Sequence, residues 1–236
     1  MDRRSFIKIC SAAAATGSMV SCFSKQVQAI ELTSFARVKL VDAQDQPIKA
    51  SALGDTDAYI FNYPYASTPS FLINLGKPAA DGNKLVTSDG NEYAWRGGVG
   101  ANKSIVAYTA ICAHQLAYPS KDVSLITYNS NKSEIAGRSG VITCCVHNSV
   151  YDPAQGAKVL SGPAAGPLSA VALEYDATTD ELYATGVYGG TLFDDFFKAY
   201  KTRLNAELGA GKAKELVTAT AKTVPFAEYS EMRVQC

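Results

Sequence analysis

The chain has two histidines, and each follows closely behind a cysteine. His114 lies two residues after Cys112, and His147 lies three residues after Cys144. Thiolates and imidazoles bind transition metals, and two of each can hold either a tetrahedral zinc ion or an iron–sulfur cluster with mixed ligands. Because both histidines fall in these two short segments, coincidence is a poor explanation. The sequence therefore predicts one metal centre built from two loops.

Cys145 makes the second pair ambiguous, because it also stands close to His147, two residues before it. The wider pattern resembles the Rieske iron–sulfur proteins, in which one loop carries Cys-x-His and the other carries Cys-Pro-Cys-His-x-Ser-x-Tyr-Asp. Here the first loop reads CAH and the second reads CCVHNSVYD. The resemblance implies a [2Fe–2S] cluster with two cysteines on one iron and two histidines on the other. The ligands implied are Cys112, His114, Cys144 and His147, whereas Cys145 occupies the position of the family's proline and binds no iron.

Further positions of the second loop match the same family. Ser149 and Tyr151 stand where hydroxyl groups donate to a bridging sulfide or a ligand thiolate, and such donation stabilises the more negative reduced cluster. Residues 162–164 match the Gly-Pro-Ala loop that follows in the family. The resemblance therefore implies that Ser149, Tyr151, Gly162 and Pro163 contact the cofactor.

The chain departs from the family at the disulfide that joins the two cluster loops in many quinol-oxidising members. The corresponding positions hold Ala117 and Val146, so this chain cannot form that bridge. Cys145 and Cys236 are the thiols of the mature chain without a ligand role. We hypothesise that they pair and tie the C-terminal tail to the cluster domain. The alternative is two unrelated thiols.

The segments around these loops read as short β-strands. Between residues 35 and 190 they alternate in polarity or are rich in β-branched and aromatic residues, and turn-forming residues separate them. The run from Ala177 to Asp180 predicts a hairpin turn. Together with the resemblance, this pattern predicts an all-β fold, a Rieske-type antiparallel β-sandwich. A small cluster-binding subdomain carries the loops, from about residue 108 to residue 168.

A helical periodicity begins after Gly190, and Gly209 provides a stop. The residues that recur at this spacing are Phe193, Phe196, Phe197, Tyr200, Leu204 and Leu208. We predict a C-terminal amphipathic helix whose apolar stripe packs on the chain's own sheet, with contact to a partner subunit as the alternative. Three parts are therefore expected, namely an export signal (1–29), a Rieske domain (30–190) and a C-terminal helical extension and tail (191–236).

The first residues resemble a twin-arginine export signal. Arg3 and Arg4 precede a Phe-Ile pair, and a stretch of small residues follows. We expect cleavage after Ala29 and a periplasmic protein, since this route carries proteins that are already folded around a cofactor. Attachment to the membrane, through an uncleaved signal or through Cys22, is the alternative.

The composition argues against a nucleic-acid partner. The 22 basic residues are balanced by 22 acidic ones, so no charge excess points to a polyanion. No group of residues resembles a catalytic acid, base or nucleophile. The loop tips carry hardly a formal charge, and we expect them to form an apolar rim that contacts a redox partner. The rim consists of Gln115, Leu116, Ala117, Tyr118, Pro119, Val146 and residues 162–164.

Upstream segments, NYPYASTPSFLINLGKPAADG and GGVGANKSIVAYTAICAH, are similar to parts of the small subunit of arsenite oxidase. In that enzyme the large subunit holds the molybdenum centre, and the small subunit passes electrons outward. The resemblance implies that this chain carries single electrons within a larger oxidoreductase. Its partners would be a molybdopterin subunit and cytochrome c or a similar acceptor.

Three alternatives are kept open. The chain could be the Rieske subunit of a cytochrome bc type quinol oxidoreductase, with cytochrome b as its partner. It could also be a stand-alone periplasmic electron carrier. A hypothesis from another class is a zinc-stabilised binding module that transfers no electrons.

Overall fold

The structure is a computed structural model that describes residues 32–189 and 191–236. The predicted export signal, residues 1–29, lies outside the described residues, and so does Cys22. Within the described part of the chain, no helix combines the length and the apolar character needed to cross a membrane.

Fifteen strands and two helices form within the described residues. The strands are β1 (Thr33–Val41), β2 (Ala58–Asn62), β3 (Pro69–Asn74), β4 (Lys84–Val86), β5 (Glu92–Ala94), β6 (Ile105–Thr109), β7 (Val123–Ser124), β8 (Ile126–Asn129), β9 (Val141–Cys144), β10 (Ser149–Asp152), β11 (Lys158–Ser161), β12 (Val171–Asp176), β13 (Glu181–Val187), β14 (Thr220–Pro225) and β15 (Met232–Arg233). The helices are α1 (Thr191–Leu208) and α2 (Phe226–Tyr229). The predicted β-rich fold with a C-terminal helix is confirmed.

Seven strands form the larger sheet, in the order β12-β13-β1-β14-β2-β3-β6. Neighbouring strands run antiparallel except β1 and β14, which are parallel, so the sheet differs in this one pair from the predicted antiparallel arrangement. The edge strands β6 and β12 come together at a bridge between Tyr108 and Ala170. This bridge lies near the end of β6, where the first predicted ligand loop begins.

The predicted hairpin joins β12 and β13. Its strands are paired from Val171 and Val187 at the open end to Asp176 and Glu181 beside the turn. The turn, residues 177–180, therefore lies at the opposite end of the hairpin from the bridge at Ala170.

Four strands form the smaller sheet, in the order β11-β10-β9-β8. Every residue of β8, β9 and β10 is buried, because both faces of these strands are covered. Ile142 and Tyr151 of this sheet share one apolar core with Tyr108 of β6 and with Trp95, which follows β5. The smaller sheet carries the second predicted ligand loop, which is the turn between β9 and β10.

Helix α1 packs on the chain's own aromatic residues, as predicted. Phe196 is fully buried, and its ring lies 5.0 Å from that of Tyr118, just after the first ligand loop. The ring of Phe197 lies 5.1 Å from that of Tyr65. The helix ends before Gly209, whose φ of +96° suits a glycine at this position.

The C-terminal segment is an integral part of this fold. Strand β14 pairs with both β1 and β2. In α2, the buried ring of Phe226 contacts Phe71 of β3, with ring centroids 5.4 Å apart. The boundary expected near residue 190 is therefore a change in secondary structure along the chain, because the tail beyond it completes the larger sheet.

Candidate metal centre

The first predicted ligand loop follows β6. Cys112 is 1% exposed, and two backbone hydrogen bonds close the turn behind it. Leu116 N donates to the carbonyl of Cys112 at 3.0 Å, and Cys112 N donates to the carbonyl of Ala117 at 2.8 Å. Leu116 has a φ of +60°, which is uncommon for leucine. His114 lies within the turn that both of these bonds close.

The second predicted ligand loop is the turn between β9 and β10. Cys144, the last residue of β9, is paired with Ser149, the first of β10. Asn148 has a φ of +58°, a left-handed conformation that asparagine accepts more readily than most residues. Cys144 is 1% exposed, whereas His147 is exposed. The turn therefore directs its thiol into the core and its imidazole to the surface.

The four predicted ligands lie together as two pairs. The rings of His114 and His147 are perpendicular, with centroids 4.7 Å apart. The thiols of Cys112 and Cys144 are hydrogen-bonded to each other. Within residues 32–189 and 191–236, no three His, Cys, Asp or Glu side chains are arranged to hold a single metal ion. One thiol pair and one imidazole pair is the division of ligands that a two-iron cluster with mixed ligation requires.

Backbone N–H groups donate to both sulfur atoms. In each loop, the N–H groups of the second and third residues after the cysteine donate to that cysteine's sulfur. The pKa of Cys112 is lowered to about 6, chiefly because the thiol of Cys144 also donates to it. The pKa of Cys144 is raised by its interaction with Cys112 and by burial. The site is thus arranged to hold negative charge on sulfur.

Tyr151 adds a side-chain donor to the same sulfur. It is fully buried, and its hydroxyl lies 3.3 Å from Cys112 Sγ. Burial, together with the nearby charge of Cys112, raises the pKa of the phenol far above its ordinary value of 10. The phenol therefore stays protonated, and its O–H donates a hydrogen bond to the sulfur. This is the contact predicted for Tyr151, made to the cysteine of the first loop.

Two buried polar atoms of the site, His114 Nδ1 and Ser149 Oγ, form no well-made hydrogen bond among the described residues, and the hydroxyl of Ser149 interacts only weakly with that of Tyr151. Leaving such atoms unpaired is costly, so each calls for a partner. A [2Fe–2S] cluster would supply both partners, because iron binds an imidazole nitrogen and a sulfide of the cluster accepts a hydrogen bond from a hydroxyl. The side chains fit the cluster, and those that would hold it are Cys112, His114, Cys144 and His147.

Gly162 packs against the backbone of the second ligand loop. Its φ is +91°, and a Cβ at this position would lie 2.5 Å from both Asn148 O and Ser149 Cα. Only glycine allows this approach. The structure thus gives Gly162 a supporting contact to the loop, and it leaves Pro163 exposed beside it.

Cys145 forms a disulfide with Cys236, with Cα atoms 5.8 Å apart. The hypothesised pairing is confirmed. Among the described residues, the free cysteines are Cys112 and Cys144. The disulfide therefore leaves Cys144 as the thiol of the second loop that is available to a metal.

The sequence did not reveal every residue that supports the site. The carboxylate of Asp152 is 2% exposed; it accepts from Ala154 N at 3.0 Å and lies 3.5 Å from the Arg138 guanidinium. It fixes the turn that follows β10. The signal for this role was the Asp-Pro pair at residues 152–153, because Asp before Pro is typical of the start of a helical turn.

Fold and site together define a β-rich protein in which two thiols are buried beneath two imidazoles, an arrangement that fits one [2Fe–2S] cluster. Residues 81–172 match the family model of the Rieske [2Fe-2S] domain. These residues form a Rieske-type domain, and the cofactor of such a domain is a [2Fe–2S] cluster.

Two known proteins are similar to this chain. The iodate reductase subunit IdrB of Pseudomonas sp. (strain SCT) is 31% identical over 139 residues, which cover 59% of this chain and 57% of that subunit. The match thus spans little more than half of the relative. The soluble domain of Rieske protein II (soxF) from Sulfolobus acidocaldarius is 26% identical, covering 65% of this chain and 78% of that one, with a TM-score of 0.44.

Proposed function

We propose that this chain is the electron-transfer subunit of a larger oxidoreductase whose partner subunit holds a molybdenum centre. The observation that carries the proposal is the polarity of the site, with the thiols buried and the imidazoles towards the surface. IdrB is by name a subunit of an iodate reductase, which supports assembly with a larger redox partner. The resemblance to the small subunit of arsenite oxidase supports molybdenum in that partner. Arsenite and iodate are both inorganic oxo-species, and we propose a substrate of this class.

The residues of this chain would tune and shield the cluster. When bound, the cluster takes up and releases one electron at a time. Burial of Cys112 and Cys144 excludes water from the sulfur side. The hydroxyl of Tyr151 and the backbone N–H groups stabilise the added negative charge, which favours a potential in the upper part of the Rieske range.

Electrons would enter and leave at the histidine side. His147 is exposed, and Val146 beside it is 39% exposed, so an apolar surface adjoins an imidazole. The predicted rim is exposed only in part, because Pro119 is buried while Gln115 and Pro163 are open to solvent. An uncharged contact of this kind suits a partner that must approach the cluster closely.

The proposal includes export to the periplasm. The pair Arg3-Arg4 supports the twin-arginine route. The disulfide between Cys145 and Cys236 supports an oxidising compartment, since such bonds persist outside the cytoplasm.

The test is gentle purification of the tagged chain from its own host, with whatever remains bound. We expect two irons and two acid-labile sulfides per chain, together with molybdenum in a larger co-purifying subunit. Haem b in place of molybdenum would assign the chain to a quinol oxidoreductase, and iron with no partner would make it a free carrier. Zinc in place of iron would contradict electron transfer altogether.

The substrate class is tested on the purified complex. Arsenite-dependent reduction of cytochrome c would indicate an oxidase, and iodate-dependent oxidation of a reduced dye would indicate a reductase. Inactivity with both compounds, in a complex that contains molybdenum, would contradict the proposed class of substrate and leave the electron-transfer role intact.

A further inference from the structure

The last residues of the chain, 230–236, form what we call the C-terminal strap. It runs alongside the segment that follows the first ligand loop. Three backbone N–H groups of the strap donate to carbonyls of that segment at 2.8, 3.0 and 2.9 Å. The donor and acceptor pairs are Glu231 and Lys121, Met232 and Asp122, and Val234 and Ser124. Met232 and Arg233 of the strap form β15, which pairs in parallel with β7.

The strap is fixed at its last residue and at its middle. The carbonyl of Cys236 accepts from Ser133 Oγ at 2.6 Å and from Glu134 N at 3.2 Å. Arg233 Nη1 donates to both carboxylate oxygens of Asp57, the residue before β2, at 2.6 and 2.7 Å. The strap therefore connects the smaller sheet to the larger one and offers a rigid attachment point.

The second ligand loop is joined to this attachment point by a covalent bond. Cys145 follows the predicted ligand Cys144 directly and precedes His147 by two residues. Its N–H donates to the carbonyl of Leu125 at 2.7 Å, and its side chain is bonded to Cys236. The three residues that complete the turn, 146–148, are exposed. The disulfide thus fixes the buried end of a turn whose remaining residues reach into solvent.

We propose that the Cys145–Cys236 disulfide is a positioning element of the metal centre. It fixes the second ligand loop to the C-terminal strap, and it thereby keeps Cys144 and His147 at the spacing that retains the cluster. The inference rests on the ligand assignment given above, and it does not depend on the identity of the partner subunit.

The experiment compares the cluster-loaded wild-type chain with the double variant Cys145→Ser/Cys236→Ser, which leaves no unpaired thiol. The control is Gln235→Ser, an exposed neighbour of Cys236 on the same strap. Loss of the cluster is followed by visible absorbance at 25 °C, and the reduced cluster is examined by electron paramagnetic resonance. Circular dichroism reports the fold. We expect the double variant to lose its cluster at least tenfold faster, with a broadened resonance, while Gln235→Ser behaves as wild type.

A second arm uses the wild-type chain and covers the case in which the double variant fails to fold. Tris(2-carboxyethyl)phosphine reduces the disulfide to two thiols and becomes the phosphine oxide, with the oxygen supplied by water. We expect it to accelerate cluster loss in the wild type and in Gln235→Ser. In a folded double variant it should have no further effect, because no disulfide is left to cleave.

The proposal is overturned if thiol counting shows that the bridge is cleaved while cluster loss stays within twofold and the resonance is unchanged. If the double variant differs from wild type only in a lower thermal midpoint, the disulfide stabilises the fold without positioning the ligands. That result would also overturn the proposal. A wild-type chain that holds no iron–sulfur cluster would contradict the ligand assignment instead, so the two failures are distinguishable.

Discussion

A single phenol, that of Tyr151, is expected to set part of the cluster's potential. Its O–H donates to Cys112 Sγ and stabilises the more negative reduced state. We predict that Tyr151→Phe lowers the reduction potential by roughly 60 mV, because a charge-assisted hydrogen bond worth about 1.4 kcal/mol corresponds to about this shift for one electron. Protein-film voltammetry measures the difference.

Tyr63 provides a matched control for this change. It is also a fully buried tyrosine, and its hydroxyl donates to the carbonyl of Ala36 at 3.2 Å within the larger part of the fold. Tyr63→Phe should reduce stability by about 1 kcal/mol and leave the potential unchanged. Equal shifts in the two variants would argue that the potential responds to general loosening of the core.

Single residues were the most predictable part of this site. The four predicted ligands, Ser149 and Tyr151 all fall within two short motifs, and the structure brings together the residues that their types and spacing single out. The N–H donors to the sulfurs were not visible, because any residue supplies an N–H and only the turn conformation directs it. Leu116 and Asn148 adopt left-handed conformations in these two turns, and leucine in particular gives no signal of such a conformation in the sequence.

Among the connecting elements, the loop at residue 162 has the tightest contact with the site. Gly162→Ala should displace the second ligand loop, since the added methyl group would meet Asn148 O and Ser149 Cα at 2.5 Å. We predict a lower yield of cluster per chain and a loss of stability beyond the usual cost of about 1–2 kcal/mol for a left-handed alanine. Iron analysis and urea unfolding measure the two effects.

Gly90→Ala is the control that separates the backbone strain of a left-handed alanine from the contact with the ligand loop. Gly90 lies between β4 and β5 with a φ of +88°, and a Cβ there would have no atom within 4 Å. Gly90→Ala should therefore show the backbone cost alone and keep a full complement of iron. Similar iron loss in both variants would mean that the contact to the ligand loop is unimportant.

The pairing of β1 with β13 is expected to depend on pH through Glu181. Hydrogen bonds from Lys39 at 2.8 Å and from Tyr183 at 2.8 Å lower the pKa of Glu181 from 4.5 to about 2. A lowered pKa in the folded state contributes stability above pH 4.5, and this contribution is lost as the pH falls towards 2. Glu181→Gln should therefore lower the urea midpoint at pH 7, and its difference from wild type should shrink between pH 4.5 and 2.

Glu174 is the control for this prediction, because its ion pair with Arg37 is exposed on both sides. Glu174→Gln should change the midpoint little at either pH, as exposed pairs contribute little to stability. A difference for Glu181→Gln that persists at pH 2 would show that its carboxylate charge is not what stabilises the strand pair.

Elements with local signals were predictable, and the element with a distant partner was not. The hairpin at residues 177–180 and helix α1 follow from turn residues and from a helical repeat. Strand β14 reads TAKTVP, and only two of its residues, Ala221 and Thr223, are buried. It lies between β1 and β2, which are about 180 and 160 residues earlier in the chain. Its own sequence does not indicate with which strands it pairs.

For the whole molecule, the histidine side is expected to be the docking face. Val146→Glu places a charge on the apolar rim beside His147, and burying that charge in a contact is costly. We predict at least tenfold slower electron transfer to the co-purified partner subunit, with the visible spectrum of the cluster unchanged. Stopped-flow mixing of the two purified proteins measures the rate.

Ala177→Glu adds the same charge at the turn between β12 and β13, away from the bridge that adjoins the site. It should leave the transfer rate at its wild-type value. If the two variants slow transfer equally, net charge rather than the rim governs the encounter.

The order of strands in the larger sheet has a consequence for biosynthesis. Strands β12, β13 and β1 lie on one side of β14, and β2, β3 and β6 lie on the other. Residues 220–225 emerge from the ribosome after all six of those strands, so β1 and β2 each keep an unpaired edge until β14 has been translated. The nascent chain must keep these edges from pairing elsewhere, and it is in this interval that a holding chaperone would matter most.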